Sequence, residues 1–342
     1  MYTQKIIPFL IFVLLFISCC VYAQKTAVIG FYNVENLYDT EDDPITNDEE
    51  FLPDGANQWT PERYQQKLKN LAYCISQMGK EQGGVVVLGF SEIENERVLN
   101  DLVAQDALKP LNYKVAHHDS PDVRGVDVAF IYQGNRFEFI YQQPFTLTLS
   151  YNPGFKTRDQ LLLVGVLDNT DTLYLIVNHW PSKRGGEARS APLRMAAAKL
   201  TRSIADSLLN INPNAKILIM GDLNDTPDAK CVIQGLNAKG KINEVTPLDL
   251  FNPSWKMYRD GIGSYAYQDN WELIDQIIIS HALLNPKPNS YKFVSSHVFS
   301  PNFLKTKTGS YQGYPFRTYA GGSYAGGYSD HFPVYIILKI EN

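Results

Sequence analysis

The chain of 342 residues has only four cysteines, and two of them, Cys19 and Cys20, fall in an apolar leader. Cys74 and Cys231 remain, too few for a disulfide framework, and a chain of this size buries core enough to fold without one. Histidine is also scarce, six in all, and the lack of a His-rich or Cys-rich cluster argues against zinc. The one long apolar run, residues 6–17, is too short for a comfortable membrane span. No sign of charge dominates, with 31 Lys and Arg against 36 Asp and Glu for a net charge of −5. That balance speaks against tight, sequence-independent binding along a nucleic-acid backbone, which draws on clustered cations, but not against brief contact during cleavage.

Lys5, the apolar run and the small-residue site Val21-Tyr22-Ala23 read as an export signal over residues 1–23. The mature chain would begin near Gln24 and form one domain over 24–342, periplasmic or extracellular, without a transmembrane segment. Ile17-Ser18 before Cys19 offers a competing lipoprotein reading, although Phe16 fits that pattern poorly.

What the chain does have is a set of apolar strands that end in polar clusters. Lys216-Ile217-Leu218-Ile219-Met220 reads as a strand covered on both faces, and Gly221 ends it before Asp222-Leu223-Asn224-Asp225. On a still-extended chain Asp222 and Asn224 project to one side, a carboxylate and an amide able to grip a metal-bound water or a phosphoryl oxygen; taken alone, the motif is also a good turn. The pattern recurs at Asn33-Val34-Glu35-Asn36, Ser91-Glu92-Ile93-Glu94 and Asn178-His179-Trp180-Pro181-Ser182. Asp275 stands inside the apolar strand 272–280, and Ser329-Asp330-His331 precedes the final strand. Open α/β sheets place ligand sites at strand ends, so six such endings are hard to read as structural alone.

Helices alternate with these strands. Thr60 and Pro61 open one with the stripe Tyr64, Leu68, Leu71, Ala72, Ile75 and Met78. Val98, Leu99, Leu102 and Val103 mark a second, and Pro192 opens a third. Residues 127–132, 137–141 and 160–167 read as further strands. Two similar halves, each with strands and acidic ends, suggest two sheets packed face to face with helices outside. The acidic segment 39–57 reads as a solvated surface loop. The Tyr- and Gly-rich segment 311–328, with Arg317 in its middle, reads as a substrate-facing loop able to stack on a base or sugar.

These residues resemble the endonuclease/exonuclease/phosphatase superfamily. The likeness rests on Asn-x-Glu-Asn at 33–36, Ser-Glu-Ile-Glu at 91–94, Asn-His-Trp-Pro-Ser at 178–182, Gly-Asp-Leu-Asn at 221–224, Ile-Asp-Gln-Ile at 274–277 and Ser-Asp-His-Phe-Pro at 329–333, in the family's order. A secreted bacterial branch is similar also in Asn36-Leu37-Tyr38-Asp39, in Arg124-Gly125-Val126-Asp127 and in Ser182-Lys183-Arg184-Gly185-Gly186. The resemblance implies an α/β (α+β) fold, a four-layer αββα sandwich of two packed mixed β-sheets flanked by helices. It implies a Mg²⁺-dependent phosphoesterase, Mn²⁺ serving as well, that hydrolyses a phosphate ester by in-line attack of an activated water.

Chemical need then distributes the roles. Glu92 is the main ligand of a hard cation, assisted by Asn33, with Glu35 or Asp330 ligating directly or through water. Asp222 orients or deprotonates the water, and Asn224 donates to a phosphoryl oxygen. His331 contacts the phosphate or shares the base role, Asp275 holds its imidazole, and His179 stabilises the leaving group or a non-bridging oxygen. Which of Asp222 and His331 takes the proton stays open. The pair Lys183 and Arg184 is read as a phosphate clamp and Arg317 as a substrate contact, while Arg189 and Arg194 add basic charge on the segment that follows. His117 and His118 are given no role, and Asp127 reads equally as a motif residue or as the partner of an internal Arg. The leading expectation is a monomeric secreted nuclease acting on DNA or RNA; a phospholipid or inositol phosphate is the alternative. A non-catalytic binding module is disfavoured because no expected catalytic position is visibly replaced.

Overall fold

The computed structural model describes residues 25–340, so the export signal and its lipoprotein alternative at Cys19 lie outside the described residues. Strands come first in chain order: β1 (Thr26–Leu37), β2 (Val85–Ile93), β3 (Tyr113–His117), β4 (Asp127–Gln133), β5 (Phe137–Phe145) and β6 (Gln160–Leu167). They continue as β7 (Asp171–His179), β8 (Lys216–Asp222), β9 (Ala238–Lys239), β10 (Leu250–Phe251), β11 (Tyr265–Tyr267) and β12 (Asn270–Glu272). The last are β13 (Asp275–Ser280), β14 (Tyr291–Val298), β15 (Tyr319–Ala320), β16 (Ser323–Tyr324) and β17 (Val334–Ile340). The α-helices are α1 (Pro61–Gln77), α2 (Glu96–Val103), α3 (Glu187–Ile211) and α4 (Ser254–Arg259).

The period of two along each strand sorts side chains into separate cores. From β1, Ala27, Ile29 and Phe31 join a core shared with Leu175, Val177, Leu218 and Met220 of the other sheet. Val28 and Tyr32 point the opposite way, into a core with Leu68, Leu71 and Ile75 of α1. Likewise Ile217 and Ile219 of β8 pack on Ala198, Ala205 and Leu209 of α3. Three cores between four layers make the αββα sandwich, and both sheets are mixed. One runs β14-β17-β1-β2-β4-β3, and the other β5-β6-β7-β8-β13-β10-β9. The parallel pairs β1–β2 and β7–β8 flank the crossover helices α1 and α3. These two units are the similar halves expected from the sequence.

The sequence reading needs three corrections. Pro192 lies inside α3, whose first turns are held by the ion pair of Glu187 with Arg194 at 2.7 Å, so the helix begins at Glu187. The expected strand 272–280 is broken: β12 stops at Glu272 and β13 starts at Asp275, with Ile274 turning its carbonyl to the Leu223 N–H at 2.9 Å. Strands β3 and β14 were not foreseen. β14 is a sheet edge of mostly half-buried residues such as Lys292, Ser295 and His297, and such an edge has no apolar alternation to read. No helix among the described residues is long and apolar enough to cross a membrane.

Candidate active site

Strand direction gathers the polar endings at one end of the sandwich. β7 and β8 are parallel, so His179 pairs with Asp222; β13 is antiparallel to β8, so its first residue, Asp275, faces Asp222 from the other side. The segment before β17 joins them because β17 runs antiparallel to β1. Gly221 is required by closeness, since a Cβ there would stand 2.2 Å from the Asn178 carbonyl oxygen. Beyond it the chain does not stay extended. Asn224 adopts φ 51° and reaches the cleft through a left-handed turn rather than through strand alternation. Glu35, Asn36 and Glu92 also have positive φ, at 53°, 53° and 65°, a concentration of backbone strain typical of functional sites.

Asp222 is buried and held from both sides. Its Oδ1 accepts from the Asn224 N–H at 2.8 Å and its Oδ2 from Asn33 Nδ2 at 3.1 Å. His179 Nε2 lies 3.6 Å from Oδ2 and His331 Nε2 lies 4.0 Å from it. Burial pushes the Asp222 carboxyl up to about 7, against the pull of His331 and with repulsion from Asp275 and Glu92. His331 Nδ1 stands 2.7 Å from Asp275 Oδ2, the same oxygen that Ser264 Oγ reaches at 2.5 Å, and Tyr265 packs on its ring at 4.9 Å. Burial alone would lower the His331 pKa, but Asp275, Asp330 and Asp222 outweigh it and hold it well above the usual imidazole range. His179 goes the other way: burial, then the positive charges of Arg158 and Arg124, keep it neutral.

The donor set facing a cation is oxygen. Glu92 and Asp330 line the cleft beside Asp222. Glu92 Oε2 accepts the Asn36 N–H at 2.9 Å, while Oε1 lies 3.8 Å from His179 Nε2. Asn33 Oδ1 accepts the Glu35 N–H at 2.9 Å and keeps a second lone pair. Glu35 is set back from the cleft. Its carboxylate accepts the Thr318 N–H at 2.6 Å and lies 3.9 Å from the buried Lys67 Nζ; burial and Asp330 push its pKa up to about 7 against Lys67. Asp222, Asp275 and His331 also form a compact group of ligand atoms within 4.8 Å of one another. His331 and Asp275 already bond each other and Asp275 is set back from the cleft lining, so Glu92 and Asp330, which line the cleft, are the better fit to a hard divalent ion, with the buried Asn33 beside Asp222.

The cleft spans about 820 Å³ and contains Lys183 and Arg184. Lys183 is not free: its Nζ lies 3.2 Å from Glu272 and 3.7 Å from Asp225. Of the basic residues that follow, Arg194 is buried and paired with Glu187 and Asp225, and Arg189 borders a separate groove with Pro192. Arg317 lines a small neighbouring pocket with Tyr311 and Tyr314 rather than the main cleft. The histidines set aside have partners after all. His117 Nε2 is 3.0 Å from Asp127 and His118 Nε2 3.8 Å from Asp159. Asp127 is therefore fixed by His117 and Ser120 rather than by an Arg.

Several residues at the site were missed in the sequence. Arg158 lies buried in the cleft wall, with Nη2 donating to the Trp180 carbonyl at 2.9 Å. Ser264 precedes the three-residue strand β11 and Tyr265 opens it, a stretch too short for periodicity to flag them. Lys67 did leave a signal, since it sits on the apolar stripe of α1 next to Leu68 and is fully buried. Its Nζ donates to Thr318 Oγ1 at 2.5 Å and to the Tyr328 carbonyl at 2.7 Å, fastening the Tyr/Gly-rich loop to the site.

Two mixed sheets packed face to face, with helices outside and a cleft of acids and imidazoles at one end, make the αββα sandwich of phosphoesterases. The chain belongs to the Endonuclease/Exonuclease/phosphatase family, whose model matches residues 28–340. It is therefore a phosphoester hydrolase of that superfamily, whose enzymes depend on a divalent metal. No curated protein matches it in sequence. Among solved structures, ANGEL2, a 2′,3′-cyclic phosphatase, is 12% identical, with coverage of 93% of this chain and 96% of that one at TM-score 0.58. A Bacteroides thetaiotaomicron mannosyl-6-phosphatase is 14% identical over 91% and 99% at TM-score 0.54. D. rerio TDP2 complexed with single strand DNA product is 13% identical over 92% and 98% at TM-score 0.54. At these identities the likeness is one of fold.

Proposed function

We propose that the protein is an exported, Mg²⁺-dependent phosphodiesterase that cleaves DNA or RNA by in-line attack of water, with Mn²⁺ able to replace Mg²⁺. The observation that carries this reading is the convergence on Asp222 of Asn33, His179, Asn224 and His331 from both sheets, with Asp275 behind His331. A carboxylate fixed by two N–H donors, next to two imidazoles, suits the handling of a water and a phosphoryl group.

Glu92 and Asp330, with Asn33, would hold the metal, which when bound neutralises phosphoryl charge and favours the attack. Asp222, fixed by Asn33 and Asn224, orients the water. The proton that leaves it enters the Asp222–His331 pair, while Asp275 keeps Nδ1 of His331 protonated and the ring aimed at the cleft. His179, neutral, donates its Nε2–H to a non-bridging or departing oxygen, and Asn224 borders the phosphate from the turn after β8. Lys183 and Arg184 grip a flanking phosphate once Lys183 exchanges Glu272 for it. Arg317 lines the adjoining pocket and serves it.

The D. rerio TDP2 structure, with its single strand DNA product, lends support to a nucleic-acid strand as substrate. A second reading, a phosphoester of a phospholipid, inositol or other small alcohol, is favoured by one observation: Lys183 is engaged by Glu272 and Asp225, which shrinks the basic footprint. A panel of purified protein with DNA, RNA, sphingomyelin, inositol phosphates and sugar phosphates, each with Mg²⁺, tests the proposal. Preferential cleavage of DNA or RNA is expected, and turnover confined to a lipid or small phosphoester would overturn the nuclease reading.

A further inference from the structure

The wall of the cleft beyond His179 is cationic. Arg158 is only 8% exposed yet lines the cleft. Its Nη1 lies 3.2 Å from Asp122 Oδ2 and its Nη2 donates to the Trp180 carbonyl, but its Nε has no partner. Arg124, which lines the same wall, directs its Nε to the other oxygen of Asp122 at 3.5 Å. Two guanidinium groups thus share one hydrogen-bonded carboxylate, with Glu92 the further acid acting on Arg158, and Lys156 adds a cation at the exposed rim.

We propose that Arg158 and Arg124 form a second anion subsite, which takes a phosphate adjacent to the scissile one. The substrate is then a phosphoester that carries a second phosphate. This rests on the phosphoesterase reading of the cleft. The spacing follows from Trp180: its carbonyl accepts from Arg158 Nη2 and also from Asn224 Nδ2, both at 2.9 Å. The two side chains are therefore neighbours, and both line the same cleft. Guanidinium suits the task because its planar fork matches phosphate oxygens and stays charged when buried. Arg124 is held in place by its own loop, with its N–H on Asp122 Oδ1 at 3.0 Å and its carbonyl accepting from Tyr38 OH at 2.7 Å, so it is preorganised.

The second phosphate has two possible chemical sources, the neighbouring phosphodiester of a nucleic-acid strand or a second monoester on a small molecule. Equilibrium binding with divalent cations chelated distinguishes them without turnover. Calorimetry with thymidine 5′-phosphate, thymidine 3′,5′-bisphosphate and the 5′-phosphorylated dinucleotide pTpT is expected to show roughly tenfold or tighter binding for at least one ligand with two phosphates. A preference for pTpT assigns the strand, and one for the bisphosphate assigns the small molecule. In Arg124→Ala, and in Arg158→Lys, which keeps the charge but loses the fork, that advantage collapses toward one. Arg124 is partly exposed, so its variant keeps the test valid should Arg158→Lys fail to fold. Equal affinity for all three ligands in the wild type, or an unchanged advantage in Arg124→Ala, overturns the subsite. Absence of hydrolysis of nitrophenyl esters of these nucleotides, with the binding advantage intact, would instead count against the phosphoesterase reading alone.

Discussion

Asn33 Nδ2, at the end of β1, donates to Asp222 Oδ2, at the end of β8, at 3.1 Å, and this bond ties one sheet to the other at the point where the chemistry takes place. Asn33→Ala is therefore expected to lower kcat by roughly a hundredfold, the scale seen when one preorganised donor is lost. It should also cost about 1–3 kcal/mol of stability, because a buried carboxylate oxygen loses its donor. Kinetics paired with urea melts check both, and a variant of wild-type kcat would remove Asn33 from the positioning of Asp222.

Asp275 acts through His331. Asp275→Asn keeps the volume, but the amide presents a donor where Nδ1–H needs an acceptor, or it forces the other tautomer. A fall in kcat of roughly 10²–10⁴-fold with KM little changed is the expected result, by analogy with the Asp-to-Asn change in a serine-protease triad. An NMR titration of the His331 ring supplies a signature that a merely structural role would not move. An unaltered ring titration would show that Asp275 does not control the imidazole.

Stripping divalent cations with a chelator should abolish turnover, and Mg²⁺ or Mn²⁺ should restore it while zinc alone does not. Glu92→Gln should raise the Mg²⁺ concentration needed for half-maximal rate, since a neutral amide is a poorer ligand for a hard cation. Full rate in excess chelator would contradict the ligand assignment of Glu92, Asp330 and Asn33.

Away from the site, Asp168 accepts from Arg136 Nε at 3.0 Å and from Tyr291 OH. Burial would raise its pKa, but the Arg136 and Tyr291 bonds outweigh it and hold it below the usual carboxylate range. With its folded pKa depressed, its stabilising contribution is fully present above the unfolded value of about 3.9 and is lost as pH falls through the folded one. Asp168→Asn should thus melt well below the wild type at pH 7, and the two melting temperatures should converge as pH drops below about 4. A constant gap down to pH 2.5 would show that the pair contributes by shape rather than charge.

Much of this was legible because chain direction and strand ends do the same work in sequence and in space. A strand that ends at Asp222 must deliver it to one end of the sandwich, and the antiparallel β13 and the segment before β17 return Asp275 and His331 to the same end. Side-chain partners were less legible. Glu35 reads as a metal ligand beside Asn33, but positive φ turns it toward the Thr318 N–H and Lys67, contacts separated by hundreds of residues in one case. Lys183 and Arg194 read as one basic patch, yet Asp225 and Glu272 reach them from other loops. Charge compensation of this kind depends on long-range packing, which local periodicity does not encode.

The central claim is that Asp222 and its ring of donors hydrolyse a phosphodiester in this cleft. Its most direct test is single-turnover cleavage of an end-labelled single-stranded oligonucleotide at saturating Mg²⁺ by the wild type and by Asp222→Asn, with folding confirmed by melting. The account predicts clean phosphodiester cleavage by the wild type and a loss of roughly 10³-fold or more in the variant, with strand binding retained. Cleavage by Asp222→Asn at the wild-type rate would contradict it.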